Sequence, residues 1–140
     1  DHGFMPVEVH AVSRDEFDAW MAAKRGAAAA QTQVAMQTLS VDHLMDQGKA
    51  VYDSACLACH GAQGQGGIGN AIAGSAVVMG DLSNHMAVVA KGVSGTAMQA
   101  FGGQLNDVEM AAVLTYQRNA FGNNTGDVVQ PVDVNGMKNG

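Results

Sequence analysis

The sequence predicts an all-α fold with a short strand-like stretch at its start. Three observations predict it. Two apolar stretches open on helix-capping residues, at Ser40 and at Asn106 with Glu109 three positions on. Between them lie glycine-rich segments without the period-two alternation of strands. Large side chains are also scarce: seven aromatic residues in 140, three of them (Phe4, Phe17, Trp20) within the first twenty. A domain so poor in bulk buries little apolar surface unaided, and a bulky cofactor in its core would make up the deficit.

The elements follow in order. Residues 4–12 alternate loosely, with Val7, Val9 and Ala11 on one side, and read as a strand. Ser13 and Glu16 form a capping box, and Phe17, Trp20 and Met21 recur at helical spacing. This helix is expected to stop near Arg25, at Gly26. Residues 26–39 are low in complexity and uncharged, with no strong apolar stripe, and read as a linker with helical propensity. A second unit opens at Ser40, whose helix carries Leu44, Gly48, Val51, Tyr52 and Ala55 on one face. A nearly structureless, glycine-rich stretch is expected from the cysteines to Gly80. A short helix capped by Ser83 or Asn84 and ended by Gly92 follows, then a loop, then the helix that Asn106 opens and Gly122 terminates. Residues 122–140 are expected to be a mobile tail.

The formal net charge of −6 argues against nucleic acid or an anionic membrane as partner. No run approaches eighteen apolar residues, so nothing here is expected to cross a bilayer. No basic stretch followed by an apolar one opens the chain, and a strand-like pattern that begins at once suggests a piece of a longer protein.

The chemistry concentrates in "CLACHGAQGQGGIGN", residues 56–70. A CxxC pair can be a redox dithiol, but that site wants a strand before it and a βαβ frame, and here a helix precedes it. It can be half of a zinc site, but no other cysteine exists, and His2, His10, His43 and His85 are scattered singly. With His60 directly after the pair, covalent haem attachment explains more. Cys56 and Cys59, three apart on a helical turn, would add across the two vinyl groups of one porphyrin edge, and His60 would ligate the iron. The glycines after His60 let backbone pass close to the ring.

On these residues, 40–121 resemble a small class I c-type cytochrome built around one covalent haem c. Gly48 and Tyr52 stand eight and four positions before Cys56, as the family's first-helix glycine and aromatic do, and Val113 and Tyr116 match the last-helix pair that packs on them. The loop from Gly92 to Gln104 resembles the family's sixth-ligand loop. It carries Met98, thirty-eight residues after His60, a separation that lets the chain return from the opposite face of the ring. His85 is the second candidate for that position. The family often has proline after the attachment loop and beside the axial methionine, where Asn70 and Gln99 stand here.

The first segment, "HGFMPVEVHAVSRDEFDAWMAAKR", resembles the end of the copper domain of cytochrome c oxidase subunit II. His2 and Met5 match two ligands of its dinuclear copper centre. That family's two copper-ligating cysteines would lie upstream and are absent, so His2 and Met5 are expected to be unliganded here. The domains read from the sequence are therefore a copper-domain remnant at 1–25, a linker at 26–39, a cytochrome c domain at 40–121 and a tail at 122–140. Together they resemble an oxidase subunit II with a fused cytochrome c. The resemblance implies a one-electron carrier, not itself an enzyme, on the periplasmic side of a bacterial inner membrane. Electrons would come from a quinol-side complex or a donor cytochrome and pass to the copper domain and the other oxidase subunits. A free-standing periplasmic cytochrome c serving another reductase or peroxidase is one alternative. A haem-based ligand sensor with an open sixth position is another.

Overall fold

A computed structural model describes residues 9–35 and 38–139 of the chain. Among the described residues, seven helices run in chain order: α1 Arg14–Ala35, α2 Val41–Ala55, α3 Leu57–His60, α4 Ala76–Met79, α5 Leu82–Lys91, α6 Asp107–Asn119 and α7 Pro131–Asn139. There is no strand among the described residues. The chain divides into two compact units, Asp1–Gln33 and Val34–Gly140.

In the first unit, the Ser13 backbone N–H donates to Glu16 and the Glu16 N–H to the Ser13 hydroxyl, closing the expected capping box at the start of α1. Phe17 and Trp20 then stack with ring centroids 5.9 Å apart, and Lys24 lies over the indole at 5.8 Å. Gly26 does not end this helix as expected. It costs about 1 kcal/mol relative to alanine in a helix interior, and the alanines that follow carry the helix on to Ala35. Much of the expected linker is therefore helical. Residues 9–12 form no strand, and the rest of the expected strand lies outside the described residues.

The second unit is organised by α2 and α6. Ser40 caps α2 by accepting from the His43 N–H, and Leu44, Gly48, Val51 and Tyr52 are buried on its inner face. Asn106 and Glu109 close a full capping box on α6. The two helices cross at Gly48. A Cβ built there would lie 2.6 Å from Tyr116 Cβ and closer still to the Ala112 carbonyl oxygen, so only hydrogen fits. Beside the crossing, Tyr52, Tyr116 and Phe121 form a ring cluster with centroids 4.9 to 5.8 Å apart. α6 ends at Asn119, before Gly122: its C-cap Ala120 is extended, and Phe121 then takes the left-handed region (φ 61°) and joins that cluster.

Three other expectations are corrected. The stretch after the cysteines contains α4, whose N-cap Ser75 accepts from the Val78 N–H. The cap of α5 is Asp81, not Ser83 or Asn84: its carboxylate accepts from the Asn84 N–H at 3.0 Å. Residues 122–140 are not a loose tail in this structure. Val129, Pro131 and Val134 are fully buried, and the two valines join the core that Leu44, Met110 and Leu114 build. The Thr115 hydroxyl accepts from the Val129 N–H, and Gln130 brackets the Leu39 backbone through both ends of its amide. The Asn-, Gly- and Asp-rich surface of this segment hides a valine pair spaced to meet one helix face.

Candidate functional site

The site is assembled by the turn that ends α2. Cys56 closes α2 by donating its N–H to the Tyr52 carbonyl, and α3 makes a single turn that presents Cys59 and His60. Tyr52 secures the exit: its hydroxyl donates to the Gly61 carbonyl at 2.7 Å, and burial pushes its pKa up to about 12. The chain after His60 folds back on the turn, with the Gly66 N–H on the His60 carbonyl and the Gly69 N–H on the Cys59 carbonyl.

The His60 ring is oriented by this return. Its Nδ1 lies 2.7 Å from the Asn70 carbonyl oxygen. A carbonyl only accepts, so Nδ1 carries the proton and Nε2 keeps its lone pair, the tautomer a metal-ligating histidine needs. Gly69 lies flat against the imidazole: a Cβ there would come within 2.8 Å of Cε1.

Opposite this turn stands the loop between α5 and α6. The Val93 N–H donates to the Met98 carbonyl, and the Met98 N–H donates to the Thr96 hydroxyl at 3.1 Å, so residues 93–98 close into a tight loop. Met98 is half-buried and packs against the main core. Cys56, Cys59, His60 and Met98 all line one cavity of about 370 Å³. The remaining wall is largely apolar, from Ile72, Val78, Val88, Val89, Phe101 and Leu105.

These residues fit a covalently held haem. The donor set is two unpaired thiols, a bare imidazole nitrogen and a thioether, facing one apolar cleft. A redox dithiol fits poorly. Burial, aided by Cys59, pushes the Cys56 thiol up to about 11, whereas a reactive pair needs a depressed pKa.

Several residues that shape the site escaped the sequence reading. Asn123 ties the return loop to α6, donating to the Ile72 and Gln117 carbonyls and accepting from the Gly74 N–H. Arg118, fully buried, donates to the Val78 and Gly80 carbonyls and pairs with Asp127, which holds α4 against α6. Gln117 and His85 are buried in the cavity wall, their side chains joined at 2.9 Å. Gln117 was legible in principle, since it lies four positions after Val113 on the inner face of α6. His85, the second candidate for the sixth position, already commits its Nε2 to Gln117. Met79, at the end of α4, is 46% exposed. His2 and Met5 lie outside the described residues.

A family model described as cytochrome C oxidase, cbb3-type, subunit III matches residues 43–116. The match spans the cysteine turn and most of both crossing helices, and it leaves out residues 2–25, which carry the likeness to subunit II. No curated protein matches the chain.

Proposed function

The chain belongs to the family of cytochrome c oxidase, cbb3-type, subunit III, and from that premise we propose that residues 40–121 are the one-electron carrier of an oxidase, holding one haem c. The observation that carries this reading is the single cavity lined at once by Cys56, Cys59, His60 and Met98. Cys56 and Cys59 would hold the porphyrin as thioethers, each sulfur adding to a vinyl carbon while its hydrogen goes to the neighbouring carbon. His60, through Nε2, and Met98, through its sulfur, would hold the iron. Haem iron supplies the chemistry by cycling between ferrous and ferric. The chain's own residues do the rest: they exclude water, keep His60 in the ligating tautomer, and place a soft neutral sulfur that favours ferrous iron.

Electrons would enter from a quinol-side complex or donor cytochrome and leave towards the oxidase. The acidic balance of residues 40–121 offers no ring of lysines for docking. Arg118, one of the three cations there with Lys49 and Lys91, is buried and paired. Small and apolar side chains such as Ala97 and Ala100, both exposed, would form the contact.

The assignment as a subunit II with a fused cytochrome c, which the family match does not make, rests on residues 2–25 alone. In that reading the acceptor is the dinuclear copper centre, and the domain works on the periplasmic side of a bacterial inner membrane. The test is to express the chain with a haem-attachment system and measure its mass and visible spectrum. One porphyrin bound through two thioethers, with a far-red methionine–iron band and reversible one-electron reduction, is the expected result. Rapid carbon monoxide binding without that band would favour the sensor, and an unmodified mass would overturn the haem reading.

A further inference from the structure

Two polar side chains are buried in the largely apolar wall of the cavity, and they form a chain. His85 is 2% exposed and Gln117 3%. His85 Nε2 lies 2.9 Å from Gln117 Oε1, and Gln117 Nε2 lies 3.8 Å from Cys56 Sγ. Burying two polar groups beside a hydrophobic cofactor is costly unless they are paired. Leucine or valine would fill either position with less desolvation.

The direction of this chain can be deduced. The thiol sulfur of Cys56 stands in for the thioether that haem attachment creates, so the deduction rests on the proposed function above. A thioether sulfur has no hydrogen and can only accept. The amide of Gln117 must therefore turn its NH2 to the sulfur and its oxygen to His85, and the His85 Nε2 must carry the proton. A second observation agrees. His85 Nδ1 is buried without a partner among the described residues. An orphaned acceptor is tolerated more often than an orphaned N–H. Burial, only partly opposed by the bond to Gln117, pushes the His85 pKa down to about 4, so the ring is neutral near pH 7.

We propose that His85 and Gln117 form a directed donor relay that ends on the Cys56 sulfur and raises the haem reduction potential. Both hydrogen bonds point their positive ends towards the porphyrin edge. Oxidation places extra positive charge on the iron and ring, which an inward-pointing positive dipole opposes. Hydrogen bonds in series polarise one another, so His85 strengthens the bond that Gln117 makes. Gln117 acts on the cofactor edge directly, whereas His85 is a positioning residue that works through Gln117.

The sign distinguishes this role from packing. Replacing a buried polar group by an apolar one makes the pocket less able to hold ferric charge and would raise the potential. Loss of the relay lowers it. In the holoprotein, Gln117→Leu is expected to lower the ferrous-to-ferric ratio at a fixed ambient potential by at least about threefold, about 28 mV at 59 mV per tenfold. His85→Leu is expected to lower it less, and to add nothing in the Gln117→Leu background. A rise or no change in Gln117→Leu, or an equal effect of His85→Leu in both backgrounds, overturns the relay. Nitrogen NMR of the unaltered ferrous protein provides a test that no variant can spoil by misfolding. His85 should show a protonated Nε2 and a bare Nδ1, and the reverse tautomer overturns the proposal. The mass of the unaltered protein is read first. If no haem is attached, the functional reading itself fails; if it is attached and the potentials do not move, only the relay does.

Discussion

Gly48→Ala tests the crossing of α2 and α6, on which the placement of the cysteine turn depends. The added methyl would lie 2.6 Å from Tyr116 Cβ and closer to the Ala112 carbonyl oxygen. Neither neighbour is the end of a flexible side chain, so the helices must separate. Overpacking of this kind costs about 1–3 kcal/mol, and the rigid neighbours place Gly48 at the upper end. Alanine returns about 1 kcal/mol of helix propensity, leaving a net loss of about 2 kcal/mol. For a domain near a hundred residues that is a fall in Tm of roughly 8 °C or more. Gly136→Ala is the matched control. It lies in α7 with nothing within 4 Å of its would-be Cβ, so the propensity gain is unopposed and the Tm should stay level or rise. Thermal unfolding followed by circular dichroism on the holoprotein reads both. If Gly48→Ala melts at or above the parent, the close crossing does not constrain this fold.

The other predictions concern ligation, the C-terminal segment and pH. Met98→Ala should abolish the methionine–iron band and lower the potential, while Met79→Ala, on the exposed end of α4, should leave both nearly unchanged; retention of the band in Met98→Ala would mean another residue is the ligand. Ending the chain after Val128 removes the burial of Val129 and Val134, about 3 kcal/mol at the lower end of the range for a buried valine, so denaturant unfolding should shift clearly downward; an unchanged midpoint would restore the mobile-tail expectation. His85 has a folded-state pKa of about 4, below the ordinary value near 6.5, so the unfolded chain binds more protons between them. Stability should therefore fall as pH drops from about 6.5 to about 4 and this contribution should then level off, a loss on the order of 3 kcal/mol that His85→Leu removes. Asp127 adds a later arm: the Arg118 hydrogen bond holds its carboxyl below the ordinary range, and that stabilisation is lost only as pH falls through the lowered folded-state pKa.

Local chemistry was legible in the sequence where it acts over three or four residues. The caps at Ser13, Ser40 and Asn106, the inner face of α2 and the run of Cys56, Cys59 and His60 all depend on short-range geometry, and the structure shows the same caps and the same face. The need for a glycine at position 48 was also readable, though from resemblance, since spacing alone does not say what crosses it. Gly26 misled because a terminator is also a tolerable interior residue when good helix formers follow. The C-terminal segment misled for a different reason: a polar composition says little about a buried face when two valines five positions apart are enough to dock it. Only the tertiary structure decided which residues surround the cysteine turn. His60 finds its acceptor ten residues on, Asn123 reaches back to Ile72, and Gln117 meets both His85 and Cys56 across 32 and 61 residues of chain. Pairings at such separations carry no periodic signature, because they arise where independently formed helices pack. A polar residue on an inward face marks that a partner must exist, and the packing alone supplies it.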